Sequence, residues 1–183
     1  PCFAPVDLEV SEIGYGSATI DWTAGEDENQ WIVNIFRTDY SFTDTVTSHP
    51  YTAEGLFAGM NYNVAVQTIC GNGASYSDWS DTISFTTNIC QPVSDVSAEV
   101  SEIFESTGDV EISWTAAEGT DAWQINYGEL DFTTDQGTLI DVETNPCVLE
   151  NLEQHLLYDL YVRTKCDENI FSVWSSKVQF VIP

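Results

Sequence analysis

Tryptophan, tyrosine and cysteine recur along this chain in one order, twice, at matched spacings. "ATIDWTA" (18–24) lies over "VEISWTA" (110–116), and a second Trp follows nine residues later in each copy, Trp22 to Trp31 and Trp114 to Trp123. "LFAGMNYNVAVQTIC" (56–70) lies over "LEQHLLYDLYVRTKC" (152–166). In both, Tyr stands six positions after Leu (Leu56 to Tyr62, Leu152 to Tyr158), and Cys eight positions after Tyr (Cys70, Cys166). Each copy opens on a Cys (Cys2, Cys90) and carries a last Trp after its second one (Trp79, Trp174). The offset drifts only from 88 (Cys2 to Cys90) to 96 (Tyr62 to Tyr158), so loops absorb the difference, as in tandem copies of one domain. A length of 183 residues is too great for one sandwich of ~100 residues and comfortable for two. The expected domains are 1–87 and 88–183. "TTNICQP" (86–92) joins them, a short linker ending in Pro that predicts a semi-rigid connection.

Alternation identifies the elements. In Val110-Glu111-Ile112-Ser113-Trp114 the apolar residues fall on one side, and Ala18, Ile20 and Trp22 repeat the pattern. Tyr62, Val64 and Val66 face one way, with Asn63, Ala65 and Gln67 the other. Period two with one buried face predicts antiparallel strands packed sheet on sheet. Helical spacing occurs only in "TNPCVLENLEQHLLYD" (144–159), which reads as a short strand and a corner because its repeat partner "HPYTAEGLFAGMNYN" (49–63) is a loop.

Composition narrows the function classes. Hydrophobic residues make up 43% and aromatics 13%, which suits a folded chain and not a disordered acidic tail. Four Lys and Arg against 30 Asp and Glu give a net charge of −26. Nucleic acid and anionic lipid are therefore excluded as expected partners, since both need clustered cations. No run approaches the ~18 apolar residues of a membrane span, so direct membrane insertion is not expected. The abrupt Pro1-Cys2 opening reads as part of a longer secreted or surface chain. The lack of an Asn-x-Ser/Thr acceptor favours a bacterial source.

The ordered set resembles the fibronectin type III domain, over nearly the whole chain and in both halves. Its carriers are Pro5 and Pro92 near the first strand, Trp22 and Trp114 on strand B, and Trp31-Val33-Ile35 and Trp123-Ile125-Tyr127 on strand C. The Leu-x5-Tyr corner completes it, with Tyr62 and Tyr158 in the place of the family's corner tyrosine. The chain departs from the family's Pro-Gly-Thr before that Tyr, having Ala58-Gly59-Met60-Asn61 and Gln154-His155-Leu156-Leu157, which predicts a looser corner. The fold implied is all-β: two tandem immunoglobulin-like, seven-stranded β-sandwiches.

The Cys placement is similar to that of disulfide-bearing fibronectin domains in bacterial surface and secreted proteins. In such a sandwich strand A starts at the end where strand F finishes. The resemblance thus implies Cys2–Cys70 and Cys90–Cys166 bridges, an oxidising compartment, and a free thiol at Cys147. The alternative is a reduced, cytosolic chain, which a thiol count of five would reveal. Localisation is expected to be extracellular, cell-surface or periplasmic. The F–G loops are then "GNGASYSD" (71–78) and "DENIFS" (167–172), after which Trp79 and Trp174 lead strand G. The Ser-x-Trp-Ser there resembles half of the cytokine-receptor Trp-Ser-x-Trp-Ser box, with Arg163 and Lys165 placed to stack on Trp174 as cation–π pairs. Tyr76, Trp79, Phe171, Trp174 and Arg163 form the candidate binding surface, against the plainer role of rings covering a sandwich edge.

The other reactive groups carry less. Cys147 sits in apolar "PCVLENL" and reads as a small buried hydrophobe; a dyad with His155 lacks a third partner. His49, before Pro50, has no nucleophile and carboxylate to join. Glu26, Asp27 and Glu28 lack the alternating spacing of a calcium loop, so no metal or cofactor is expected. Tyr40, Phe42 and Phe132 beside Asp39, Asp44, Asp131 and Asp135 have the chemistry of a sugar platform, but the reading preferred is an ordinary strand edge. With no catalytic set, the expected function is a non-catalytic adhesion, spacer or protein-binding module of a larger bacterial protein. The second reading is a carbohydrate-binding or presenting segment of a secreted glycoside-degrading enzyme.

Overall fold

A computed structural model describes residues 2–183 as two compact units that meet between Ile89 and Cys90. That boundary lies two residues beyond the expected 87/88 division. Asn88 explains the shift: its N–H donates to Gly14 O, its side chain to Ile13 O, and its carbonyl accepts from Gly59 N–H, so it is fastened into the first unit.

The first unit has eight strands: β1 (Val6–Ser11), β2 (Ala18–Thr23), β3 (Trp31–Arg37), β4 (Tyr40–Val46), β5 (Tyr51–Ala53), β6 (Asn61–Cys70), β7 (Ser75–Trp79) and β8 (Ile83–Thr86). One sheet runs β1-β2-β5; the other runs β4-β3-β6, with β7 and β8 sharing the far edge of β6. All pairings are antiparallel. The final strand of the sandwich is therefore broken in two. Trp79 ends β7 instead of leading the last strand, and residues 75–78 of the expected loop belong to a hairpin arm.

The second unit repeats this with β9 (Ser94–Ile103), β10 (Thr107–Thr115), β11 (Trp123–Glu129), β12 (Thr138–Val142), β13 (Cys147–Glu153), β14 (Leu157–Asp167), β15 (Ile170–Phe171) and β16 (Val178–Val181). Its sheets are β13-β10-β9 and β12-β11-β14, with β15 and β16 along β14. Trp174 lies between β15 and β16, outside any strand.

Each unit has its own core, built by the alternation. Ala18, Ile20 and Trp22 of β2 meet Trp31, Val33 and Ile35 of β3 and Tyr62, Val64 and Val66 of β6. Val110, Ile112 and Trp114 meet Trp123 and Ile125 and Tyr158, Leu160 and Val162. The Trp pairs pack edge to face, at 5.6 Å for Trp22–Trp31 and 5.3 Å for Trp114–Trp123. The corner is closed despite the missing Pro-Gly-Thr. Phe57 N–H donates to Tyr62 Oη at 2.9 Å, and Glu153 N–H to Tyr158 Oη at 3.1 Å.

Disulfides join Cys2 to Cys70 and Cys90 to Cys166, across 68 and 76 residues, with Cα atoms 5.9 and 5.8 Å apart. Each ties the chain ahead of the first strand to the end of β6 or β14. Cys147 is free and half-buried at the start of β13, opposite Ile112 and packed on the core's margin. Burial pushes its thiol above the usual value.

Four carboxyls are held below the ordinary Asp range, that of exposed Asp135 chiefly by the Thr133 side chain. His49 and the Trp22 N–H hydrogen-bond Asp21. Gln124 does the same for Asp141, with Lys165 assisting. Burial pushes Asp159 upward, but Gln179, the Asp131 N–H and Lys177 outweigh it. A depressed folded pKa contributes stability that is present above the unfolded value of ~3.9 and is lost as pH falls through the folded one. Urea midpoints of both units are therefore expected to fall between about pH 4 and pH 2, and D159N should flatten the profile of the second unit.

Candidate functional site

The site begins with two serines in each unit. Ser77 and Ser80 turn their hydroxyls toward β6, where Thr68 N–H donates to Ser77 Oγ at 3.0 Å and Val66 N–H to Ser80 Oγ at 2.9 Å. Ser172 and Ser175 treat β14 alike: Thr164 N–H donates to Ser172 Oγ at 2.9 Å and Val162 N–H to Ser175 Oγ at 3.0 Å. Each hydroxyl then donates to a neighbouring carbonyl, of Asp78, Asp81, Val173 or Ser176. Side chains thus replace part of the backbone ladder. The broken last strand follows from this substitution.

The breaks throw two rings from the flanking chain onto the outer face of the sheet. In the second unit the rings are Phe171 and Trp174, and Arg163 of β14 lies between them. Its guanidinium carbon is 4.1 Å from the Phe171 centroid and 4.3 Å from that of Trp174. Arg163 also donates twice to Gln124 Oε1, at 2.9 and 2.6 Å, and Gln124 donates to Asp141 at 2.6 Å. Lys165 pairs with Asp141 at 3.2 Å rather than stacking on Trp174. Arg163 alone is the stacked cation on that face, and burial lowers its pKa against the pull of Asp141.

Sequence reasoning took the motif for half a box. The structure shows that Tyr76 and Phe171 fill the place of the first Trp, so the motif is aromatic-Ser-x-Trp-Ser in both units. The signal was available in "YSDWS" and "FSVWS" had the ring chemistry, not the residue identity, been matched.

R163Q is expected to destabilise the second unit by about 1–2 kcal/mol, since each partly desolvated cation–π contact contributes ~0.5–2 kcal/mol. R163K should recover only part of that, because an ammonium lacks the planar fork. Equilibrium denaturation of the two variants measures both effects.

The remaining candidates are not brought together. Tyr40 packs edge-on to Phe57 and Tyr62 beneath Arg37, and Phe132 packs on Tyr161 at 5.7 Å. Asp44 accepts from Tyr51 Oη at 2.9 Å. These are strand-edge contacts and form no shared platform. Glu26, Asp27 and Glu28 line a cleft of about 650 Å³ with Phe3 and Cys70. Glu28 is occupied by Phe3 N–H, Gly25 N–H and the Thr68 hydroxyl. Among the described residues, no group of three or more His, Cys, Asp or Glu is placed to hold a metal ion. His49 was undervalued by sequence: it stacks on Trp22 at 4.9 Å and bonds Asp21 at 2.6 Å, covering the core Trp. Asn145 takes that place in the second unit, bonding both Trp114 N–H and O.

Residues 3–86 match the fibronectin type III domain. Two solved chicken structures are similar to the whole chain. The FN1–FN3 domains of CNTN1 share 19% identity, covering 100% of this chain and 68% of that one, with a TM-score of 0.48. A two-domain fibronectin type III segment of tenascin shares 17% identity over 97% of this chain and 98% of that one, with a TM-score of 0.45. No curated protein matches the chain. Fibronectin type III domains are commonly extracellular adhesion or spacer modules and are typically non-catalytic. Residues 3–86 are thus similar to the fibronectin type III domain, and the second unit has the same strand order, corner, bridge and serine box.

Proposed function

We propose that this chain is a non-catalytic, protein-binding adhesion module of a larger extracellular or cell-surface bacterial protein. The observation that carries the reading is the pair of disulfides fastening each sandwich from its first strand to its penultimate one. Such bridges persist in oxidising compartments. The surface supports a partner role as well. Tyr76 and Trp79 stand 56% and 43% exposed on the β6–β7 hairpin, where aromatic rings supply contact area at low entropic cost.

An antibody raised against the chain tests the location: it should label intact, unpermeabilised source cells or their culture medium. Labelling that requires permeabilisation in every growth phase overturns the reading. Titration of the denatured, unreduced protein should find one thiol, that of Cys147.

A further inference from the structure

The two units set a pair of rings at equivalent positions on the same serine frame and treat them differently. The equal Tyr-to-Cys spacing sets Gln67 of β6 where Arg163 stands on β14. Gln67 pairs across to Trp79 and donates through its carboxamide to Ser77 O at 2.7 Å, so it lies along the hairpin and brings no charge between the rings. The serine frame is otherwise the same to within a few tenths of an ångström. Tyr76 and Trp79 are exposed, whereas Phe171 and Trp174 are half-buried around their guanidinium.

The neighbouring strands make the same contrast. Beside Arg163 the second unit sets Gln124, Asp141 and Lys165, whose charges and amide satisfy one another. By register, Ile32, Thr45 and Ile69 occupy those places in the first unit. The first slot is therefore a neutral strip ending in two open rings, on a chain of net charge −26 with exposed Asp78 and Asp81 beside the hairpin.

We propose that the Tyr76–Trp79 slot docks an arginine side chain presented by a basic polypeptide partner. This deepens the protein-binding reading above and rests on it. The second unit supplies the precedent in the same molecule: there the frame holds a guanidinium over both rings. Lysine fits less well, because its ammonium is compact and strongly hydrated. A sugar ring fits less well too. It carries no positive charge to meet the exposed Asp78 and Asp81 beside the hairpin, and its hydroxyls gain nothing from Ile32 and Ile69. The acidic surface steers a basic partner toward the slot.

The test uses the intact 183-residue chain and a fluorescein-labelled (Gly-Arg)4 peptide, with a (Gly-Lys)4 twin, at physiological salt. The arginine peptide should bind at least about threefold tighter than its twin. Y76A should weaken it about fivefold, the loss of ~1 kcal/mol of cation–π energy. Q67R should weaken it about tenfold or more, because the chain's own guanidinium then fills the slot. E99Q makes the same unit change in charge on the second domain and should leave binding within about twofold. Q67R should also unfold at a higher denaturant concentration than the parent, which shows that its loss of binding is not misfolding.

Equal binding by Q67R and E99Q overturns the proposal, since attraction is then diffuse charge. Displacement of the peptide by mannohexaose overturns it in favour of a glycan. No binding of the peptide overturns the slot while leaving the module reading to the cell-surface labelling. Cytosolic labelling fails that reading without altering the peptide result.

Discussion

Trp114→Ala lowers the stability of the second unit by about 3–5 kcal/mol, the cost of truncating a large buried ring. Trp114 is only 6% exposed, and its ring packs edge-on to Trp123 at 5.3 Å within a core that also holds Ile112, Ile125 and Val162. A close-packed interior does not collapse around a void of that size. Domains of this length have a total stability on the order of 5–15 kcal/mol. The substitution thus removes a large fraction, and the melting temperature of the unit should fall by on the order of 20 °C. The first unit's core is formed by other residues, so its transition should stay where it was. Differential scanning calorimetry reads both, and a shift of the two transitions together would show that the units do not melt separately. Ser113→Ala, on the opposite face of the same strand, should cost under about 1 kcal/mol, since it forfeits one hydroxyl contact with Ser97.

Removing either disulfide is the second large effect. The bridges close loops of 68 and 76 residues in sequence separation, and chain entropy alone puts each near ~4 kcal/mol, within the measured range of ~2–5 kcal/mol. The paired variants C2A/C70A and C90A/C166A should each lower the urea midpoint of one unit only. Reductant should reproduce both shifts in the parent and do nothing further to a variant lacking both bridges. A C147S background keeps the free thiol from exchanging with the bridges during the measurement, although burial already holds that thiol above its usual pKa. A reduced parent that unfolds at its oxidised midpoint would contradict the expectation.

The fold was legible because its determinants are periodic. Alternation in β2, β3, β6 and their repeat partners fixed which face is buried, and the resemblance to a sandwich whose first strand starts where strand F finishes implied each bridge. What escaped the sequence were contacts between distant side chains that have no period. Ser77 and Ser80 look like loop residues until their hydroxyls are seen taking the N–H groups of β6. His49, 28 residues from Asp21, carries no local sign that it lids Trp22. The two-residue offset between the expected division and the compact units has a similar reason: Asn88 is held by Ile13 and Gly14, 75 and 74 residues away, and nothing near it says so. The aromatic slot lay between these cases. Its rings and Arg163 were singled out, but the pairing of Lys165 with Asp141 instead of Trp174 depends on the β11–β12 register.

The bridges also govern how the polypeptide carries load. A pull entering at Cys2 passes through sulfur to Cys70 and skips β1 to β5, so these strands cannot be peeled off by traction along the chain. Between Cys70 and Cys90, the next staple, only roughly 20 residues remain to lengthen, about 70 Å at full extension. Under such a pull a chain stapled this way lengthens only by that short reach and keeps most of its hydrophobic interior shut.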